Sequence, residues 1–487
     1  MFAIKKNKLN QAILLATVVM GVYSIQGLAA DLMTLPQVVE SAILTNPEIL
    51  QSYKTYEAAL RETDAASGRY LPSVDLTSSI GVEHRRDPGN LMGDLGHSYS
   101  RDQTTLSLRQ LIFDGFATKN EVERLDKTSK ARLFELENLS QSIALDATKA
   151  YVDLLRYRSL TTLAEDNYVA HKTIYEQLQL KAKAGVGKKS DVEQARSRLS
   201  LADYNMSVEG SNLHDIESRY QNLVGNLPPK DINATVPLGQ DIPKDPVEAI
   251  KYAQVHNPKL LATIQDIASQ NALFEYRKSA FMPKLDFRAR ADYGNDINGY
   301  SGVHRNEVAE VVMSWNLFNG NTDTNLRKKE LSALEAATNR RDKTCRDIRL
   351  ELQIAYNDIN KLSAEASFLD ERQIAIEKAR DAYRKQFDIG QRTLVDLLNA
   401  ENEVFEAKRL YTNVVNDITV AKARTQFQMG NLLSSLGLSR FGSEKAPLPE
   451  STDGSNIAAC PAELAPEYKF NRDELDARAM EVINVKK

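Results

Sequence analysis

Tyr70-Leu71-Pro72-Ser73-Val74-Asp75-Leu76-Thr77-Ser78-Ser79-Ile80-Gly81-Val82-Glu83 is the stretch on which the fold turns. After Pro72 the apolar Val74, Leu76, Ile80 and Val82 fall on one face, and Ser73, Asp75, Thr77, Ser79 and Glu83 on the other. That period of two marks a β-strand. The stretch returns 211 residues later as Phe281-Met282-Pro283-Lys284-Leu285-Asp286, where Leu285, Phe287, Ala289, Ala291 and Tyr293 alternate with Asp286, Arg288, Arg290 and Asp292. Return strands follow at 104–113 (Leu106, Leu108, Ile112) and 308–318 (Val311, Met313, Trp315, Leu317), so each copy holds one β-hairpin, 73–113 and 284–318. The loops 84–102 and 294–306 are polar and carry glycine. Strict alternation over about ten residues suits a tilted transmembrane strand. It suits a strand of a soluble two-sheet sandwich equally well.

The repeat extends in both directions. Asn46-Pro47 recurs as Asn257-Pro258 at the same offset of 211; Gly115, Tyr151, Gly185 and Asp191 recur as Gly320, Tyr356, Gly390 and Asp396 at an offset of 205. The chain is a tandem duplication, read as a first repeat over 31–225, a proline-rich linker over 226–250 and a second repeat over 251–438. Each copy contains 69 residues free of glycine and proline, 116–184 and 321–389, in a chain that has 22 glycines and 15 prolines among 487 residues. These stretches consist of strong helix formers, and each predicts one helix roughly 100 Å long. Beyond the glycine turns at 185–187 and 390, return helices are expected over 188–225 and 393–436. A helix of that length needs partner helices throughout, so each repeat is a long helical hairpin joined to a β-hairpin. Four strands cannot close, and open sheet edges are not viable in lipid. A membrane reading therefore requires several chains, two giving eight strands and three giving twelve.

The N-terminus reads as a secretory signal over residues 1–30, with Lys5, Lys6 and Lys8, an apolar run from Ala12 to Val22, and Gly27-Leu28-Ala29-Ala30. Removing its three lysines moves the formal charge from −4 to −7, a mildly acidic balance that gives no support to nucleic-acid binding. No apolar run is long enough for a spanning helix. Cys345 and Cys460 could pair in an oxidising compartment, but their separation of 115 residues favours unpaired thiols. The tail 439–487, with four prolines from Pro447 onward, is expected to be equatorial or disordered, and mobile from Phe441.

An exported duplicated chain, one β-hairpin per repeat opening into a very long helix, and Gly390-x-x-Thr393-x-x-Asp396 after the turn resemble the TolC family of outer-membrane factors. The resemblance covers about residues 31–440. It implies an α+β membrane protein: a homotrimer with a 12-stranded β-barrel in outer-membrane lipid, an α-barrel of helical hairpins across the periplasm, and an equatorial belt built from 226–250 and the segment after Leu438. It also implies docking onto a periplasmic adaptor protein joined to an inner-membrane ABC transporter or RND pump. Gly430-Asn431-Leu432-Leu433-Ser434-Ser435-Leu436-Gly437-Leu438 is similar to the type I protein-secretion branch, with drug efflux as the alternative within the class and a soluble periplasmic coiled-coil scaffold outside it.

By the same resemblance the tips Gly185, Gly187, Gly390 and Thr393 form the adaptor-docking surface. Asp396 stands in a ring around the tunnel entrance, and Arg392 latches the closed entrance onto Ser190 and Asp191. The pattern departs at Asn399, where a second acidic ring would fall, and at Phe387, where the latch would have a tyrosine. Read without the resemblance, Thr393-x-x-Asp396 and Ser190-x-x-Glu193 each fit a helix capping box. No enzyme, metal or cofactor site is expected: His84, His97, His171, His214, His256 and His304 show no metal-ligand spacing. The run from Ala184 to Ser190 fails as a phosphate loop because alanine stands at 182 and lysine follows Lys188.

Overall fold

The computed structural model describes residues 33–85, 97–297, 302–448, 459–466 and 471–485. The signal segment and the centres of both strand-connecting loops lie outside them. Both repeats run through the same elements: α1 Leu35–Thr45, α2 Pro47–Ser67, β1 Ser73–Arg85, β2 His97–Phe113, α3 Ala117–Lys183 and α4 Lys189–Val224, then α5 Pro246–His256, α6 Pro258–Tyr276, β3 Lys284–Asn295, β4 Val303–Ser314, α7 Thr322–Asp388 and α8 Leu394–Met429. The breaker-free stretches are helices α3 and α7, each of 67 residues. Two short helices follow, α9 Leu432–Ser435 and α10 Arg472–Val485.

The strands form one antiparallel sheet in the order β1-β2-β3-β4. Its register sets Leu76 opposite Leu106, Leu106 opposite Ala291 and Phe287 opposite Val311, so the apolar rows of both hairpins share one face. That face is uncovered within the chain: Ile80 is 88 % and Leu76 70 % exposed. The opposite face carries Arg109 bonded to Asp286 at 2.9 Å, Arg101 to Glu83 at 3.2 Å and Thr105 to Asp292 at 2.8 Å. Tyr70, Phe116, Phe281, Trp315 and Phe318 lie exposed where strands meet helices, as aromatic side chains do at a membrane interface. Strand boundaries differ from expectation: β1 and β2 run on to Arg85 and His97, and β3 and β4 to Asn295 and Val303, into what read as loops, while β4 stops at Ser314 rather than 318.

Each strand-to-helix passage uses two successive residues of positive φ, Gly115 and Phe116 in the first repeat and Gly320 and Asn321 in the second. Asp114 Oδ2 then accepts from the Thr118 amide at 2.8 Å and starts α3. The repeated Asn-Pro pair has a structural meaning that the repeat alone did not convey. Asn46 and Asn257 are N-caps with proline in the first turn, a favoured start for a helix. They stand where a return helix ends: Thr45 Oγ1 donates to the Val224 carbonyl at 3.3 Å, and Asn257 Nδ2 to the Gln428 carbonyl at 2.8 Å. Thus α2 takes over from α4 and α6 from α8, and four helices per chain continue from sheet to tips. This takeover ends α8 at Met429, short of the expected 436. Gly430 has a φ of 79°, and a Cβ there would sit 2.6 Å from the His256 carbonyl oxygen.

A belt surrounds these splices. Leu35, Val38, Val39, Leu136, Tyr151, Leu154, Tyr220, Leu238 and Leu433 form its first core, joining α1, α3, α4, α9 and the linker. A second core joins α5, α6 and α7 to Cys460, with Ala462 and Leu464 against it. The expectation of free thiols is corrected there: Cys345 and Cys460 are bonded, with Cα atoms 5.4 Å apart. Sequence separation says nothing about an apolar cluster that draws the tail onto α7. The beginning of the tail, expected to be equatorial or disordered, packs on the belt. Phe441 packs edge-on to Tyr53 at 5.2 Å, and Arg440 is buried beside Glu137 at 3.2 Å.

Candidate functional site at the hairpin tips

From the belt to the tips, α3 packs on α4 and α8, and α7 packs on α8, so the four helices stand in the row α4-α3-α8-α7. The two hairpins meet in a small apolar cluster just short of the turns, formed by Ile174, Leu178, Ala195, Leu394, Leu397 and Leu398. Phe387 borders it, with the Lys181 ammonium 5.7 Å above its ring. Where the resemblance implies a tyrosine hydroxyl, this chain substitutes a cation over an aromatic face.

The first tip reverses over 184–188. Gly185 has a φ of 79°, and its amide donates to the Ala182 carbonyl at 3.1 Å. Gly187 is required for a different reason: a Cβ there would lie 2.8 Å from the Ala182 backbone nitrogen. Helix α4 then begins behind Lys188, which offers no side-chain cap. The capping box expected at Ser190-x-x-Glu193 is therefore absent. Ser190 lies inside the first turn and donates to its neighbour Asp191 at 3.3 Å, and Glu193 faces Arg196 at 3.9 Å.

The second tip turns at Gly390, also with a φ of 79°. Here the capping box forms. Thr393 Oγ1 accepts from the Asp396 amide at 3.3 Å, and the Asp396 carboxylate accepts from the Thr393 hydroxyl at 2.9 Å and amide at 3.4 Å. The Thr393 hydroxyl bond, followed by the Thr393 amide and Arg392, holds the Asp396 carboxyl below the usual carboxylate range. It is ionised at any physiological pH, and it is half-exposed. Cap and charged ring are compatible roles for one side chain.

Arg392 is placed differently from the expectation. Its guanidinium lies 4.1 Å from the centre of the Tyr383 ring, its Nε donates to Gln386 at 3.0 Å, and its Nη1 stands 3.6 Å from Asp396. Ser190 and Asp191 are not its partners within the chain; the groups it meets all belong to its own hairpin. Asn399, at the position of the second acidic ring, accepts from Arg198 of α4 at 2.8 Å and so ties the hairpins together.

Several residues that hold this architecture were not singled out from the sequence. Glu401 of α8 is buried between Arg384 at 2.7 Å and Arg380 at 3.0 Å from α7. Buried Glu209 of α4 accepts from Arg409 of α8 at 3.1 Å, and Arg156 of α3 reaches Asp417 of α8 at 2.5 Å. Tyr151 and Tyr356 had a signal, identity at the repeat offset, but no evident task. Tyr151 donates to the carbonyls of Met33 at 3.0 Å and Asn233 at 2.5 Å, and Tyr356 to those of Pro243, at 3.2 Å, and Lys244. Each repeat thus clamps one end of the linker with the same tyrosine, and burial pushes the Tyr151 phenol up to about 12.

Comparison with known proteins agrees with this architecture. The family model described as outer membrane efflux protein matches residues 38–225 and 249–431, one segment in each repeat. The outer membrane efflux protein BepC of Brucella suis is 24 % identical over 360 residues, 73 % of this chain and 76 % of that protein. The alkaline protease secretion protein AprF of Pseudomonas aeruginosa is 24 % identical over 416 residues, 80 % of this chain and 83 % of that one. Among solved structures, the Campylobacter jejuni CmeC outer membrane channel superposes with a TM-score of 0.73 at 15 % identity, covering 82 % of this chain and 86 % of that one. The chain belongs to the outer membrane efflux protein family, the TolC-like channels that sit in the outer membrane and extend into the periplasm.

Proposed function

We propose that the chain is the exit duct of a tripartite type I protein-secretion system, working as a homotrimer with a periplasmic adaptor and an inner-membrane ABC transporter. The observation that carries the reading is the four-stranded sheet, apolar and exposed on one face, with β1 and β4 unpaired along their outer edges within the chain. Lipid does not tolerate such edges, and three copies close them in a barrel of twelve strands. The four helices per chain then supply a twelve-helix tunnel roughly 100 Å long below it. Residues 31–225 and 251–438 are the two repeats of this duct, 226–250 and 439–487 contribute to its belt, and 1–30 is the leader.

The tips around Gly185, Gly187, Gly390 and Thr393 receive the adaptor. Three copies of Asp396 ring the entrance and draw cations to it. Arg392 latches the entrance across the boundary between copies, where the outer helix α7 of one chain meets the outer helix α4 of the next and so faces Ser190 and Asp191. Secretion of a large protein is favoured by the likeness to AprF, whose name gives it a role in protease secretion. Drug efflux through an RND pump is the second reading, favoured by the likeness to BepC. A deletion strain scored in parallel for both separates them. Loss of a large secreted protein with unchanged drug susceptibility is the expected result, and drug hypersensitivity with intact secretion would replace it with the efflux reading.

A further inference from the structure

Between the tips and the belt, one ionisable side chain is buried without a bond. His171 of α3 is 2 % exposed, and its Nδ1 has no hydrogen-bond partner. One turn earlier on the same helix face, Asn167 is buried with its Nδ2 unpaired. The interface between the hairpins thus carries a polar stripe that an apolar pair would fill at lower cost. Stability of the packed state does not explain these residues.

The charges around His171 come from each neighbouring helix. Glu401 faces it from α8 and Arg198 from α4. Helix α7 enters through Glu401, whose Oε1 accepts from Arg384 and Oε2 from Arg380. On α3 itself, Lys172 and Glu176 pair with each other at 2.6 Å. A proton on His171 would therefore add a cation where the one facing carboxylate already has both oxygens bound to guanidinium groups. Burial, with Arg198 adding to it and Glu401 opposing it, holds the imidazole below its ordinary value. The packed arrangement then binds fewer protons than one in which His171 meets water. It is fully stable above the ordinary histidine value of about 6.5 and loses stability as pH falls below it.

We propose that His171, with Glu401 and Arg198, is an acid-responsive joint between the two helical hairpins, through which acidification of the periplasm loosens the first hairpin from α8 and favours the open entrance. The inference rests on the reading of the tips as a tunnel entrance. Wild-type trimers in planar bilayers are expected to conduct severalfold better at about pH 5 than at about pH 7.5, the window in which histidine changes charge. His171→Gln, neutral throughout, is expected to keep the neutral-pH conductance and lose the rise; a rise equal to that of wild type overturns the proposal. Because the acidic ring also faces the lumen, Asp396→Asn is run beside it, and loss of the rise there with its retention in His171→Gln likewise overturns the joint. Should His171→Gln fail to assemble, hydrogen exchange in the wild-type trimer decides. Amides of 165–178, corrected for intrinsic rates, are expected to lose protection severalfold at acid pH, and unchanged protection refutes the joint. A wild-type trimer that conducts at neither pH overturns the conduit reading and the joint with it; one that conducts equally at both overturns the joint alone.

Discussion

Single side chains at the tips and the belt do different work. Arg392 is shared among Asp396, Gln386 and the Tyr383 ring, all within its own hairpin and all solvent-accessible, where an ion pair contributes at most about 1 kcal/mol. Contacts so weak and exchangeable leave the guanidinium free to reach the neighbouring copy, as the proposed latch requires. Arg392→Ser is expected to raise the conductance of the resting channel in bilayers, and an unchanged value removes the arginine from the latch. Tyr151 is the opposite case. It is fully buried, and its hydroxyl is given to two backbone carbonyls; its loss leaves that of Asn233 unpaired, while that of Met33 keeps the Asn233 amide at 3.1 Å. Tyr151→Phe is expected to cost about 1–2 kcal/mol, read as a lower midpoint for heat-induced unfolding of the trimer, with conductance unaffected.

At the scale of elements, the chain solves the same problem twice. A return helix ends at the belt, and a short helix capped by asparagine continues toward the membrane. The two splices are not equal. Asn46 accepts only from the Glu48 amide at 2.9 Å, whereas Asn257 caps α6 through the Leu260 amide at 3.2 Å and also bonds the last turn of α8. Asn46→Ala is expected to cost about 1 kcal/mol as a lost cap. Asn257→Ala is expected to cost about 1–3 kcal/mol, since it also strips the half-buried Gln428 carbonyl of this donor. Paired thermal melts of the two variants check the order, and equal losses would show that the bond to α8 contributes nothing. Helix α8 is the hub of the lower part: it holds α7 through Glu401, α4 through Arg409 and α3 through Asp417.

For the whole molecule, the disulfide joins the last segment to the belt across 115 residues of chain. The Gln353 side chain bonds the Ala465 carbonyl at 3.4 Å and Arg472 stacks over Phe368 at 5.1 Å, so the segment advances along α7 toward the tips. Closing a loop of that length is worth up to about 5 kcal/mol through the unfolded state. Cys460→Ser is expected to lower the unfolding midpoint and to expose residues after 460 to protease in the folded trimer. A wild-type cleavage pattern in the variant would show that the tail is held without the bond.

Much of this was legible beforehand, for reasons of range. Strand alternation, absent breakers and glycine turns report local backbone preference, and duplication repeats the report, so the sheet face formed by Leu76, Leu106, Ala291 and Val311 and both 67-residue helices follow from the sequence by itself. The same signals located the tips, because only glycine takes the backbone through Gly185 and Gly390 without cost. What only the tertiary structure decided is which side chains meet across elements. The Cys345–Cys460 bond, the hold of Tyr151 on the linker, the break at Gly430 and the burial of His171 each depend on two segments far apart in the chain arriving side by side. Periodicity carries no record of that arrival; packing does, since it alone sets which polar groups are covered and which find a partner.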